Sequence, residues 1–223
     1  MYNILIADDH PLLRDAIVNI IKLRFDNCVT FETNDLQQTL DFAAKTPELD
    51  LILLDLNMPG MNGFDGLISL RNQSPTIPVV IVSAEQDKKI ILQTIAYGAV
   101  GFVTKSSSKE TIGDALASVL AGDVYLPPAI IRDDSAGQEH STFNSAQQHV
   151  SDVNLSSLTR RQLMVLKCLT KGHANKQIAD DLNISETTVK SHVSVILKKL
   201  GVYNRVQAVV SCTDIDFNQY LKR

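Results

Sequence analysis

The sequence predicts an α/β fold, a doubly wound parallel sheet, followed by a small all-α domain. Three observations carry that reading. Over residues 1–121, short apolar runs alternate with amphipathic stretches. Several of the runs lack polar alternation, as strands covered on both faces do. From residue 155 onward only helical patterns remain, and 223 residues suffice for two ordinary domains.

Taken in order, Asn3–Asp8, Cys28–Glu32, Leu51–Asp55, Val79–Ser83 and Val100–Thr104 read as strands. Helical segments lie between and after them, near Leu12–Arg24, Leu36–Lys45, Gly63–Gln73, Lys88–Tyr97 and Lys109–Ala121. A repeated β-α unit of this length implies right-handed crossovers and a doubly wound sheet. Gly122 ends the last of these helices, and Pro127 and Pro128 prevent its continuation. Residues 132–154 are polar with little to form a core, the composition of a flexible linker. Four helices then follow: Arg160–Thr170, Asn175–Leu182, Glu186–Leu200 and Arg205–Cys212. The expected division is therefore a domain over 1–121, a linker over 122–154 and a second domain over 155–223.

Composition narrows the function classes. No apolar stretch approaches the roughly 20 residues of a membrane span. The opening M-Y-N-I-L-I-A-D-D lacks the basic flank and apolar core of a signal peptide. Cys28, Cys168 and Cys212 are scattered and not in C-x-x-C spacing, which fits a reducing cytoplasmic location and argues against a disulfide framework or a zinc site. Tryptophan is absent and aromatics are only 5%, so a stacking platform for single strands is not expected. The net charge of −4 hides an asymmetry. Residues 1–130 carry 9 Lys and Arg against 16 Asp and Glu, whereas residues 155–223 carry 11 against 5. The first part suits cations or basic groups, the second a polyanion.

In a doubly wound sheet the functional crevice lies outside the C-terminal ends of the strands. Those ends carry Asp8 and Asp9, Asp55, Ser83 and Lys105. Crowded carboxylates repel one another unless a hard cation sits among them. Mg²⁺, which prefers oxygen ligands, suits Asp8, Asp9 and Asp55 with the backbone carbonyl of Asn57. An Asp carboxylate can accept a phosphoryl group as an acyl phosphate, with the metal and Lys105 neutralising the oxygens. The added charge then draws in new hydrogen bonds, and the Ser83 hydroxyl is placed to supply one.

The segments D-D-H-P-L-L-R at Asp8–Arg14, D-L-N-M-P-G at Asp55–Gly60, S-A at Ser83–Ala84 and F-V-T-K at Phe102–Lys105 resemble the receiver domain of two-component response regulators. The resemblance implies a flavodoxin-like sheet of order 2-1-3-4-5. It also implies Asp55 as phosphoacceptor, Asp8 and Asp9 as metal-binding acids, and Ser83 and Lys105 as phosphate-sensing residues. Phe102 becomes the aromatic whose rotamer reports the state. Ser106 stands where proline is frequent.

Between Asn175 and Leu200 a helix ends near Leu182, a short turn follows, and Ser185 is a favourable N-cap for the next helix. On that helix Val189, Val193, Ile196 and Leu200 form one apolar stripe. At about 100° per residue, Thr187, Ser191, Ser194 and Lys198 point the opposite way, with Thr188 nearby and Lys190 on the flank. Small polar and basic side chains on such a face suit a helix entering the major groove of double-stranded DNA. Lys176, Arg160, Arg161, Lys199 and Arg205 are candidate phosphate contacts. The motifs L-T-R-R-Q-L, N-K-Q-I-A, S-E-T-T-V-K-S-H and K-K-L-G-V-Y-N-R-V-Q-A resemble the LuxR-type helix-turn-helix.

Together the two resemblances point to a response regulator of the NarL/FixJ type. They imply a histidine kinase as phosphodonor, a homodimer on phosphorylation, and DNA binding switched at Asp55. Gln162 and Gln177 stand where such proteins usually have Glu. His10, after the acid pair, reads as a residue shaping the strand-to-helix turn. The rival reading is a metal-dependent phosphatase with an aspartyl-phosphate intermediate. That chemistry usually needs an acid at position 57, and Asn57 cannot transfer the proton. RNA as the target ranks lower because the helical layout lacks stacking aromatics.

Overall fold

The computed structural model of the chain describes residues 1–131, 155–212, 215, 217 and 220. These fall into two compact units. The linker expected over 132–154 lies outside the described residues.

The first unit is a parallel sheet of order β2-β1-β3-β4-β5. Its strands are β1 (Tyr2–Ala7), β2 (Cys28–Thr33), β3 (Leu51–Leu54), β4 (Val79–Ser83) and β5 (Gly101–Thr104). The helices are α1 (Pro11–Arg24), α2 (Leu36–Lys45), α3 (Asp65–Gln73), α4 (Lys88–Ala96) and α5 (Lys109–Leu120), with a short α6 (Pro128–Ile131) after them.

Alternation along each strand sends successive side chains to opposite faces. Leu5, Ile52, Leu54, Ile81 and Phe102 pack with Ala43 of α2, Leu67 and Leu70 of α3 and Ile91 and Ile95 of α4. Ile4, Ile6, Leu51, Leu53 and Val80 pack instead with Ile17 and Ile21 of α1 and Leu116 of α5. Burying each such side chain contributes about 1.5–3 kcal/mol. Covering both faces is why L-I-L-L of β3 is apolar throughout. Beyond α5, Tyr125 forms a parallel bridge to Gly101, and Val124, Leu126 and Ile130 pack on the α2–α4 face.

One buried charge stands out. Arg71 of α3 is 1% exposed and donates to the carbonyls of Pro75 and Ile77, closing the α3–β4 connection.

The second unit contains α7 (Arg160–Thr170), α8 (Asn175–Leu182), α9 (Glu186–Leu200) and α10 (Arg205–Ser211) around one core. Thr159 and Gln162 form a reciprocal capping box at α7, which satisfies orphan N–H groups of the first turn. Asn183 ends α8 in the left-handed region (φ +51°), and Ser185 then accepts from Thr188 N at 3.1 Å to cap α9. Gly201, at φ +70°, ends α9 where a side chain would be strained. Asn204 caps α10 through Gln207 N at 2.8 Å.

Candidate functional site

Main-chain hydrogen bonds continue past the strands and hold their tips together. Asp8 N donates to Thr33 O at 3.2 Å, Asp55 N to Ala7 O at 2.9 Å and Lys105 N to Ser83 O at 2.8 Å. The side chains at these tips therefore share one edge of the sheet. Asp8, Asp55 and Ser83 are buried, and Lys105 and Asp9 are partly exposed.

Lys105 Nζ donates to Asp55 Oδ2 at 2.8 Å and lies 2.8 Å from Asp8 Oδ2. Burial lowers the Lys105 pKa, but the hydrogen bonds and charges of Asp55 and Asp8 outweigh it and hold the ammonium above the ordinary lysine value. Arg14 Nη1 donates to Asp8 O at 2.7 Å and its Nε to Glu32 Oε2 at 2.8 Å, which fixes the β1–α1 turn. Nothing in the sequence pattern shows which carbonyl a side chain as long as Arg14 reaches. After β3, Gly60 takes φ +85°, and Leu36 N donates to Pro59 O at 3.0 Å. This folds the loop that carries Asn57, whose side chain is exposed.

Ligand oxygens of Asp8, Asp9 and Asp55 and a ring nitrogen of His10 lie within 4.8 Å of one another. Asp55 Oδ1 is buried and has no hydrogen-bond partner among the described residues. An oxygen-rich group with an orphaned carboxylate oxygen is what a hard divalent cation requires, so the residues fit Mg²⁺. His10 does more than shape the turn. Its N–H donates to Asp8 Oδ1 at 2.8 Å, and its Nδ1 lies 3.0 Å from Asp8 Oδ1 and 2.7 Å from Asp9 Oδ1. Ser83 Oγ accepts from Glu85 N at 3.3 Å, and Phe102 lies fully buried on the α2–α4 face.

In the second unit, Val189, Ile196 and Leu200 are buried and Val193 half-buried, while Thr187, Ser191, Ser194 and Lys198 are exposed on the other side of α9. Lys190 is half-buried on the flank and Lys176 is exposed on α8. The Thr188 hydroxyl meets Ser185 Oγ at 2.8 Å, so it belongs to the helix cap. Val195, 38% exposed and outside the apolar stripe, lies on the exposed part of α9 as well.

Three candidate phosphate contacts are already engaged. Lys199 Nζ donates to Ser157 O at 2.7 Å and Gln162 Oε1 at 3.0 Å. Arg161 donates to Leu182 O. The second unit also takes in Ala121–Asp123, and Arg205 bonds there to Asp123 Oδ1 at 2.9 Å and to His173 O at 2.7 Å. Burial, only partly offset by Asp123, lowers the Arg205 pKa.

Comparison with known proteins agrees with both halves. Residues 4–117 match the response regulator receiver domain, and residues 156–212 match the bacterial regulatory proteins of the luxR family. The chain is 57% identical over 224 residues to the glycerol metabolism activator of Pseudomonas putida, with all of both chains covered. It is 35% identical to the nitrate/nitrite response regulator protein NarL of Escherichia coli, over 93% of each chain.

The chain belongs to the NarL/FixJ family of two-component response regulators.

In fold it is similar to RcsB, solved as two dimers bound to two parallel DNAs. That match has TM-score 0.53 and 21% identity, covering 96% of this chain and 99% of that one. As a NarL/FixJ regulator, the protein couples a receiver to a LuxR-type helix-turn-helix and regulates transcription by phosphorylation-dependent DNA binding. Its acidic cluster matches the Mg²⁺-binding phosphorylation site of receivers. No helix among the described residues is long and apolar enough to cross a membrane.

Proposed function

We propose that Asp55 is the phosphoacceptor, that a histidine kinase is its donor, and that the receiver spans 1–121, the linker 122–154 and the DNA-binding domain 155–223. The observation that carries this is the buried Asp55 carboxylate, with one oxygen on Lys105 and the other without a donor. A carboxylate oxygen of Asp55 attacks phosphorus, the bond to the donor's imidazole breaks, and an acyl phosphate forms. Asp8, Asp9, Asp55 and the Asn57 carbonyl would hold Mg²⁺, which when bound would supply positive charge to the phosphoryl oxygens. Lys105 exchanges its bond to Asp55 for one to the phosphoryl group, and the Ser83 hydroxyl donates a second. The Ser83 movement leaves space on the α2–α4 face into which Phe102 turns.

On the output side, Thr187, Ser191, Ser194 and Lys198 of α9 face the major groove, with Lys190 on the flank, Thr188 at the helix start and Lys176 on α8 contacting phosphates. Val195 offers its methyl groups to a thymine methyl. The likeness to RcsB, found as dimers on DNA, supports a dimer reading paired half-sites. The name of the Pseudomonas putida relative makes genes of glycerol metabolism the first operators to test.

Fluorescence anisotropy on operator DNA, with and without a small phosphodonor and Mg²⁺, tests the switch. Affinity rises with donor in the wild type and stays flat in Asp55→Asn. A donor-dependent gain that survives in Asp55→Asn places the switch elsewhere.

A further inference from the structure

Cys168 sits in the last turn of α7, His173 in the turn that follows and Asp181 near the end of α8. Two main-chain bonds fix that turn. Gly172, at φ +81°, donates to Leu169 O at 2.9 Å, and His173 N donates to Cys168 O at 3.2 Å. The chain thereby reverses and carries the imidazole back over the turn that bears Cys168. His173 O is held by Arg205 Nη2 at 2.7 Å, and His173 Nδ1 lies 2.8 Å from Asp181 Oδ2. A sulfur, a ring nitrogen and a carboxylate oxygen are so brought within 4.8 Å of one another.

We propose that Cys168, His173 and Asp181 form a site for a divalent cation of the zinc class, distinct from the acidic pocket of the receiver. The donor set decides the class. Thiolate with imidazole suits Zn²⁺ and its neighbours, whereas Mg²⁺ takes oxygen. Around a tetrahedral Zn²⁺, bonds of about 2.0–2.3 Å put ligand atoms about 3.3–3.8 Å apart. The observed grouping closes to this with small side-chain rotations. Three protein ligands leave a fourth position to water. The residues are reachable from solvent, since His173 and Asp181 are 25% and 43% exposed and Cys168 is half-buried.

On binding, the Cys168 S–H bond breaks, the sulfur pair bonds to the metal and the proton leaves to solvent. The metal would tie the end of α7 to α8, the two helices on which α9 packs. It would thereby stiffen the frame that presents the recognition helix.

Titration of the full-length protein with Co²⁺ under saturating Mg²⁺ tests the site. The wild type is expected to show a sulfur-to-cobalt charge-transfer band that saturates near one equivalent and is displaced by Zn²⁺. C168S abolishes the band, and H173A weakens binding about tenfold or more. Absence of the band, or its persistence in C168S, overturns the proposal. A second measurement needs no variant. Zn²⁺ is expected to slow alkylation of Cys168 at least about tenfold and leave Cys28 unaffected, whereas equal rates at Cys168 with and without Zn²⁺ overturn the proposal.

Discussion

Lys105 Nζ lies 2.8 Å from Asp55 Oδ2 across the tips of β3 and β5. The same ammonium reaches Asp8 Oδ2, also at 2.8 Å, so one cation serves two buried carboxylates from different strands. A like-charge pair held this way stores repulsion that any change at Asp55 releases.

Lys105→Met therefore leaves Asp8 and Asp55 facing each other without compensation. Without divalent cation the receiver should lose about 2–3 kcal/mol, read from the urea midpoint. Added Mg²⁺ should recover more stability in the variant than in the wild type, since cation binding to the folded state then relieves a larger repulsion. Equal Mg²⁺ gains in both proteins would contradict the shared-cation account.

Arg71 shows the same logic away from the pocket. Its buried guanidinium satisfies the carbonyls of Pro75 and Ile77 in the α3–β4 loop. Arg71→Met strands those acceptors and should cost about 2–4 kcal/mol. Arg71→Lys should recover only part of this, because an ammonium does not reproduce the planar fork.

Gln162 accepts from Thr159 N at 3.0 Å and from Lys199 Nζ at 3.0 Å, linking the start of α7 to the end of α9. Gln162→Ala should lower the thermal midpoint of the DNA-binding unit by an amount equal to about 1–2 kcal/mol. Gln162→Glu keeps both bonds and adds charge opposite Lys199, so it should raise the midpoint at low salt and lose that gain at high salt.

Burial pushes the Cys212 thiol from 9.0 up to about 11. Its folded pKa lies above the unfolded one, so its stabilising contribution is complete below pH 9 and is lost as pH rises through 11. Cys212 should resist alkylation at pH 8 in the native chain and react once the chain is unfolded in urea. A fall in stability between pH 9 and 11 that shrinks in Cys212→Ala would complete the test.

Much of this architecture is visible in the pattern of side chains. The bounds of α2, α7 and α9 coincide with the helical periods, because Asp35, Thr159 and Ser185 are capping residues that mark where a helix starts. The strands were legible because a sheet covered on both faces demands uninterrupted apolar runs. The acids at the strand tips were legible for the same reason, since a carboxylate ending L-I-L-L has no bland use. What escaped were long polar side chains whose partners lie far along the chain. Arg71, Arg14 and Arg205 each end on backbone carbonyls, which every residue possesses, so no residue type advertises the partner. Lys199 and Arg205 read as phosphate contacts because a basic residue looks the same whether it is free or tied down. Val195 was the opposite case, an apolar residue that faces solvent.

The central claim is that Asp55 takes the phosphoryl group in a pocket shared with Asp8, Asp9 and Lys105. The direct measurement is peptide-level mass spectrometry of full-length protein treated with a small phosphodonor and Mg²⁺, trapped by borohydride reduction of the acyl phosphate. The account predicts conversion at Asp55 alone, abolished by chelation of the metal and absent in Asp55→Asn. Label at another residue, or label that persists in Asp55→Asn, would contradict it.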